Sequence, residues 1–276
     1  MFWLLYNARK IKGKMIVGEN KWYKMKNVWY NLSMRILIQI EYNGKNYCGW
    51  QRQKNGTSIQ EVLENALQTL LGEKISVQAS GRTDAGVHAL GQMAHFDLKK
   101  HFDISRLAYA VNPLLPEDIK VVKAKEVKSD FHARFNVHKK TYIYKVYNRK
   151  ISSPLKKYGF AHYPYDLDLQ KMKEACKKFL GVHNFKGFSS EGSSVKGYER
   201  EIFAFDVKKN KDEYVFKITG NGFLYNMVRR IVACVLEIGR GSQNLSIIDS
   251  AFEHFDKKII TKNMQACGLY LYKVVY

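Results

Sequence analysis

Alternating hydrophobic and polar positions predict four β-strands in the first half of the chain. In the segment 34–42, isoleucine recurs at every second position from Ile36 to Ile40, which is the period of a strand with one buried face. The other strands are predicted over residues 75–80, 92–98 and 119–127.

Two helices are predicted between these strands. Ser58 and Glu61 form a capping box at the start of the first helix, and Gly72 ends it. Its apolar residues fall on one face at helical spacing: Ile59, Val62, Leu63, Ala66, Leu67 and Leu70. The second helix runs over 104–111 and stops before Asn112-Pro113, because the residue before a proline disfavours helical geometry.

The second half of the chain loosely repeats this plan. A strand is predicted over 141–147, and Asp168 caps a helix that ends before Gly181. The residues of this helix that are expected to turn inward are Leu169, Met172, Cys176, Phe179 and Leu180. A hairpin over 201–219, helices over 223–238 and 246–255, and a strand over 269–275 follow.

The order of these elements predicts an α+β fold of two ferredoxin-like (RNP-like) units. Each unit has a mainly antiparallel sheet with helices on one face. We expect the units over residues 34–136 and 137–276, with their sheets joined around a basic cleft.

The charge of the chain favours a polyanionic partner. Among its 276 residues, 46 Lys and Arg against 25 Asp and Glu give a net charge of +21. A hydrophobic content of 46% is typical of a globular protein, and no apolar run is long enough to predict a membrane-spanning helix. Such a charge excess favours nucleic acid, although a lysine-rich composition alone gives the same value.

Residues 1–33 differ in composition from the rest. They hold seven basic residues and one acid, a net charge of +6, and three of the four tryptophans. Their periodicity fits neither a helix nor a strand. A basic, aromatic arm that contacts RNA is one interpretation, but we prefer an appendage outside the fold, with Met34 opening the first unit.

The cysteines argue against a zinc site and a disulfide framework. Cys48, Cys176, Cys234 and Cys267 are far apart and form no C-x-x-C pair. In a chain of this length without a secretory signal, they are interpreted as reduced thiols, which favours the cytoplasm.

The segment 81–89, Gly-Arg-Thr-Asp-Ala-Gly-Val-His-Ala, is the strongest candidate for chemistry. It lies between two predicted strands and therefore on a loop at a sheet edge, where functional groups are commonly presented. Arg82, two positions before Asp84, could keep that carboxylate ionised in a partly closed pocket. By itself, however, an Arg-x-Asp sequence is more typical of a turn with a surface ion pair.

This segment resembles the signature of the tRNA pseudouridine synthase A family. Segments 42–53, 131–144, 222–229 and 268–271 are similar to further motifs of that family and follow in the same order. The resemblance runs from Met34 to Tyr276 and leaves out residues 1–33. One departure is Met264-Gln265-Ala266-Cys267, where the family usually has an Ala-Pro-Ala-like stretch.

The resemblance implies the pseudouridine synthase fold and the isomerisation of uridine to pseudouridine in the anticodon stem and loop of tRNA (positions 38–40). In that reaction the N-glycosidic bond breaks, the base turns and C5 rejoins C1′, with no metal and no cofactor. Asp84 matches the family's essential aspartate. The sequence leaves open whether it attacks C1′ as a nucleophile or removes a proton from the sugar.

The resemblance also assigns substrate-binding residues. Tyr142 matches the active-site tyrosine, whose ring can stack on an extruded uracil and whose hydroxyl could handle the C5 proton. Arg82 and Arg229 are the candidate cations beside Asp84, and Leu269 would form an apolar floor under the base. Arg229 is expected on the face of its helix that is free to point into a cleft, and it shares that face with Asn226, Arg230, Ala233 and Glu237.

A uridine within an RNA helix has to be unstacked, so base flipping is implied. The candidates for phosphate contacts, which position RNA without reading its sequence, are Arg52, Arg134, Lys139 and Lys140. The resemblance further implies a homodimer in which one tRNA touches both subunits, and no membrane partner.

Two other functions stay open at this stage. A non-catalytic RNA-binding protein on similar sheets has no use for a carboxylate that faces a polyanion, so Asp84 argues against it. A nucleoside or glycoside hydrolase that uses Asp84 normally needs a second carboxylate, and none occurs in the motifs.

Overall fold

The computed structural model describes residues 33–191 and 197–276, together with the backbone of four short strands nearer the N-terminus. These strands are β1 (Arg9–Ile11), β2 (Lys14–Ile16), β3 (Trp22–Met25) and β4 (Val28–Asn31), and they pair as two hairpins outside the main sheet. Hydrophobic periodicity did not reveal them. The RNA-contacting arm considered for this segment concerns side chains outside the described residues.

The main sheet has ten strands in the described part of the chain. They are β5 (Met34–Tyr42), β6 (Gln78–Ala79), β7 (His88–Leu98), β8 (Ile119–Val127), β9 (Lys139–Tyr147), β10 (Ala161–His162), β11 (Gly181–Asn184), β12 (Glu199–Asn210), β13 (Glu213–Gly220) and β14 (Leu269–Val275). Their order is β11-β12-β13-β9-β14-β7-β5-β8, with β10 beside β9 and β6 beside β7. Only the pairs β9–β10 and β7–β14 are parallel, so the predicted class, α+β with a mainly antiparallel sheet, is confirmed.

The last strand, β14, joins the two halves of the sheet. It pairs antiparallel with β9, where Leu271 lies opposite Tyr142. It pairs parallel with β7, where Tyr270 lies opposite His88. One continuous sheet therefore runs through both expected units. The boundary between them at residues 136 and 137 stays a prediction.

The structure places five α-helices in the described residues: α1 (Ile59–Leu71), α2 (Leu107–Val111), α3 (Leu169–Lys177), α4 (Met227–Arg240) and α5 (Ser246–His254). The predicted caps are confirmed. The Ser58 hydroxyl accepts the Glu61 N–H at 3.2 Å, Gly72 ends α1 with φ +65°, and Asp168 accepts the first N–H groups of α3. None of these helices is long and apolar enough to cross a membrane.

Several boundaries differ from the predicted ones. The strand expected over 75–80 shrinks to β6, and β7 begins at His88, directly after the segment 81–87. The helix expected over 104–111 opens with a 3₁₀ turn before α2. Because α3 ends at Lys177, Leu180 is exposed rather than turned inward.

The start of α4 was also predicted too early. Asn226, just before the helix, has φ +59°, and this left-handed conformation cannot continue an α-helix. The helix therefore begins at Met227 instead of Phe223, and Asn226 lies in the turn before it.

The polar face predicted for α4 is mostly buried. Arg230, Ala233 and Glu237 lie in the interior, where neighbouring segments provide partners for both charged side chains, and only Arg230 Nε is buried without a partner among the described residues. Arg230 donates to three backbone carbonyls, while Glu237 accepts the Tyr163 hydroxyl and pairs with Lys262 at 2.7 Å. Only the N-terminal turn of this face, which carries Arg229, opens toward the site.

Candidate active site

The loop 81–87 is built against the segment 43–50. The Trp50 N–H donates to the Thr83 carbonyl at 3.0 Å, and the Gly86 N–H donates to the Tyr47 carbonyl at 3.4 Å. Gly49 has φ +108°, and a Cβ at this position would lie 2.7 Å from the Thr83 carbonyl oxygen. Only glycine therefore allows this close approach, and one role of the segment is to fix the loop that carries Asp84.

Buried polar side chains form hydrogen bonds to the first residues of the loop 81–87 and to Ser80 before it. The Gln92 amide donates to the Gly81 carbonyl at 2.9 Å and accepts the Ser80 hydroxyl at 2.8 Å. The hydroxyls of Tyr42 and Thr83 are 2.7 Å apart. Sequence reasoning missed Ser80, Thr83 and Gln92 as parts of the site. Gln92 opens the predicted strand 92–98, which also contains His95 and Asp97, so the pattern of the strand did not single it out.

Asp84 meets Arg229 from the other half of the chain. The distance from Arg229 Nη1 to Asp84 Oδ2 is 3.7 Å. Arg229 is held by two further hydrogen bonds, from Nε to the Met264 carbonyl at 2.6 Å and from Nη1 to the Asn226 side-chain oxygen at 2.8 Å. The guanidinium is therefore fixed in position by the protein itself.

Burial raises the pKa of Asp84, because removing the carboxylate from water penalises its charged form. The charge and hydrogen bonding of Arg229 lower that pKa but do not cancel the effect. Arg82, by contrast, is exposed and forms no ion pair with any carboxylate in the ranges 33–191 and 197–276. Of the two candidate cations, the structure brings only Arg229 into contact with Asp84.

Tyr142 and Leu269 lie on the same face of the sheet. Tyr142 is 8% exposed, and its ring packs edge-on against Phe223 with the centroids 5.1 Å apart. Burial raises its pKa, and the nearby charges of Tyr42 and Asp84 add to this effect. Leu269, at the start of β14, is buried opposite Tyr144, which is two residues along β9 from Tyr142. Asp84, Arg229 and Tyr142 are thus brought together, and Leu269 lies on the same face of the sheet as Tyr142.

The segment 264–267, which departs from the family pattern, contacts two side chains at this site. The Met264 carbonyl accepts from Arg229, and the Tyr144 hydroxyl donates to the Gln265 carbonyl at 2.6 Å. The local backbone of 264–267 therefore anchors the cation beside Asp84, a role that the sequence did not suggest.

The four candidates for phosphate contacts have different surroundings. Arg52 is exposed but pairs with Glu64 at 3.0 Å. Arg134 and Lys139 are exposed and lie over the rings of Phe135 and Phe203, respectively. Lys140 is partly buried, and its ammonium donates to the Ser80 carbonyl at 2.7 Å. The structure thus turns Lys140 inward and leaves the other three on the surface.

Residues 33–191 and 197–276 contain no cluster of three or more His, Cys, Asp or Glu side chains that could hold a metal ion.

Comparison with known proteins identifies the family. The sequence profile described as tRNA pseudouridine synthase matches residues 38–136 and 175–276. The chain is 41% identical to tRNA pseudouridine synthase A of Acetivibrio thermocellus over 241 residues, which are 87% of this chain and 99% of the relative. It is 40% identical to the protein of that name from Caldicellulosiruptor saccharolyticus, again over 87% of this chain and 99% of the relative.

Among solved structures, a Cbf5-Nop10-Gar1 complex aligns with 86% of this chain and 48% of that chain. The identity is 13% and the TM-score 0.36. The profile match and the near-complete coverage of the curated relatives are decisive: the chain belongs to the tRNA pseudouridine synthase family, whose members isomerise uridine to pseudouridine in tRNA.

Proposed function

We propose that this chain converts uridine to pseudouridine in the anticodon stem and loop of tRNA, at positions 38–40, with Asp84 as its catalytic residue. The observation that carries the proposal is the pair of Asp84 and Arg229, at 3.7 Å, in a partly closed site beside Tyr142. A non-catalytic RNA-binding protein has no need for a carboxylate that is desolvated at such a cost.

The reaction needs an ionised carboxylate next to the ribose. Once the uridine is flipped out of its stack, the Asp84 carboxylate either attacks C1′ or removes a proton from the sugar. The bond between N1 and C1′ breaks, the uracil turns, and C5 bonds to C1′. On the first route the bond from Asp84 to C1′ breaks in this step, and on the second route the proton returns from Asp84 to the sugar. The proton then leaves C5 and N1 gains one, so substrate and product are isomers. Arg229 opposes the effect of burial and keeps more of the carboxylate ionised near neutral pH.

The aromatic and apolar groups would hold the turning base. The Tyr142 ring can stack on uracil. Its hydroxyl makes no hydrogen bond to any described residue, so it is available to the substrate. Leu269 offers an apolar surface on the same face of the sheet.

The exposed cations Arg82, Arg134 and Lys139 are the proposed phosphate contacts, and Arg52 would have to exchange Glu64 for a phosphate. We also propose a cytoplasmic homodimer in which one tRNA contacts both subunits. The net charge of +21 supports a large polyanionic partner.

The test is tritium release from tRNA that carries C5-labelled uridine. Asp84→Asn is expected to abolish release while tRNA affinity changes little, because the amide keeps the shape of the side chain and loses its basicity. Asp166→Asn, a change at a side chain that is 96% exposed, is the matched control and should be fully active. Full activity of Asp84→Asn would refute the catalytic assignment. Loss of tRNA binding with unchanged chemistry in the bound fraction would favour the RNA-binding alternative.

A further inference from the structure

Lys140 makes a contact between the two halves of the chain. It belongs to β9, and its Nζ donates to the Ser80 carbonyl at 2.7 Å. Ser80 lies at the start of the loop that carries Asp84, four residues further along. A residue of the second half therefore fixes the point at which the catalytic loop leaves β6.

Glycine at position 81 leaves room for the ammonium at its observed position, and a larger residue there would require the end of the lysine side chain to shift. A Cβ on Gly81 would lie 2.7 Å from Lys140 Nζ, closer than side-chain atoms normally approach each other. The Gly81 carbonyl is held from the other side by Gln92 at 2.9 Å. Two consecutive carbonyls at the start of the loop are therefore fixed, one by Gln92 and one by Lys140.

The electrostatic surroundings of Lys140 differ from those of a surface lysine. Among the described residues it has no carboxylate partner, and burial together with the charges of Arg134 and Arg200 lowers its pKa to about 8. Holding a cation in such a place costs free energy. The Ser80 carbonyl is the contact that offsets this cost, whereas the neighbouring Lys139 is exposed.

We propose that Lys140 is a positioning residue for Asp84. Its ammonium holds the Ser80 carbonyl and so fixes the backbone that leads to Asp84. This backbone is thereby positioned relative to the second half of the chain, which supplies Arg229 and Tyr142. The inference rests on the proposed function, because the positioned group is the catalytic carboxylate. In this role the Lys140 ammonium binds the enzyme's own backbone and not a phosphate of the RNA.

The test compares Lys140→Met with Lys139→Met. Methionine keeps most of the length of lysine and removes the ammonium. For Lys140→Met we expect single-turnover tritium release to slow by about 100-fold, the usual effect of a displacement of about 1 Å. The dissociation constant for tRNA and its salt dependence should stay unchanged. Lys139→Met should do the reverse and weaken binding with little effect on the rate in the complex.

Rescue separates positioning from a general loss of structure. Lys140→Cys should be slow and should recover when 2-bromoethylamine restores an ammonium at nearly the same position. The wild-type protein, treated in parallel, controls for alkylation of the partly exposed Cys48 and Cys267. Gly81→Ala crowds the ammonium from the opposite side and should also lower the rate. Combined with Lys140→Met it should add no further loss, since both changes break one contact.

Two results would overturn the proposal. One is an unchanged rate in Lys140→Met, and the other is a weaker, less salt-dependent tRNA affinity at normal rate, which would make Lys140 a phosphate contact. Should Lys140→Met fail to fold, Gly81→Ala and the alkylated cysteine variant decide by the same readouts. Failure of the proposed function would give a different result from failure of the Lys140 proposal. The wild type would then release no tritium, or Asp84→Asn would be fully active.

Discussion

Arg229 on α4 and Asp84 on the loop before β7 place opposite charges 3.7 Å apart. Hydrogen bonds to the Met264 carbonyl and to Asn226 hold the guanidinium in place, so the cation does not depend on substrate for its position. The pair links the two halves of the chain at the centre of the continuous sheet. Its charge balance sets the pH range in which Asp84 is ionised.

Arg229→Gln should move the acid limb of the activity profile to higher pH. Burial already raises the pKa of Asp84 above that of an ordinary aspartate, and Arg229 counteracts this. The ionised form is the active one and is lost as pH falls through this pKa. Removing the cation raises the pKa further, so activity disappears at a higher pH than in the wild type. The measurement is kcat/KM for tRNA against pH.

Arg229→Lys keeps the charge and should shift the acid limb less than Arg229→Gln does. Arg149→Gln removes an exposed arginine that pairs with Asp212 and should leave the limb in place. An acid limb that is the same in all three variants would show that Arg229 does not control the ionisation of Asp84.

Two substitutions of Tyr142 should separate the contribution of the ring from that of the hydroxyl. Tyr142→Leu loses stacking on the flipped base, worth roughly 1–3 kcal/mol, which corresponds to about 5- to 150-fold in affinity for the reacting state. Tyr142→Phe keeps the ring and should retain that affinity, but it should slow tritium release if the hydroxyl handles the C5 proton. Binding and single-turnover release, measured on both variants, give the two effects separately. Equal defects in both variants would contradict the division of roles.

Gly49→Ala should disrupt the catalytic loop. Its φ of +108° strains any other residue, and the added Cβ would lie 2.7 Å from the Thr83 carbonyl oxygen. Backbone atoms on both sides have to move, so we expect activity to fall by about 100-fold, along with some loss of stability. Gly241→Ala is the matched control, because Gly241 has φ +80° with no atom within 4 Å of the added Cβ. It should lower the melting temperature without lowering the rate at 25 °C.

Salt dependence should identify the phosphate contacts. Each phosphate neutralised by a cation contributes about 0.7–0.9 to the slope of log affinity against log salt. Arg82→Gln should reduce the slope by about that amount, since the Arg82 side chain is exposed beside Asp84 and has no carboxylate partner among the described residues. Lys178→Gln, which removes a lysine paired with Asp249 at 2.6 Å, changes the net charge equally and should leave the slope unchanged. A slope that is flat in the wild type would contradict the electrostatic interpretation of the charge.

The elements predicted best are those whose signals are local. The bounds of β5, β8 and β14 agree with the predicted ones, because short runs rich in β-branched and aromatic residues mark strands locally. The start of α1 and its end at Gly72 agree as well, because capping groups act within a few residues of the helix end. For α4 the helix was predicted but its surroundings were not: the face of Arg229 was expected to be free to point into a cleft, and Arg230 and Glu237 on that face are buried. Their partners come from loops distant in sequence, and no periodicity shows them.

The sequence by itself determined the local elements, the positive charge, and the segment 81–89 with its resemblance to a family that needs an aspartate there. Tertiary structure decided which cation meets Asp84: Arg229 does, and Arg82, only two positions away in sequence, does not. It also decided that Lys140 turns inward to the Ser80 carbonyl while Lys139 faces solvent. The physical reason is that these contacts depend on the order of the strands. By pairing parallel with β7 and antiparallel with β9, β14 brings the two halves of the chain together at one site.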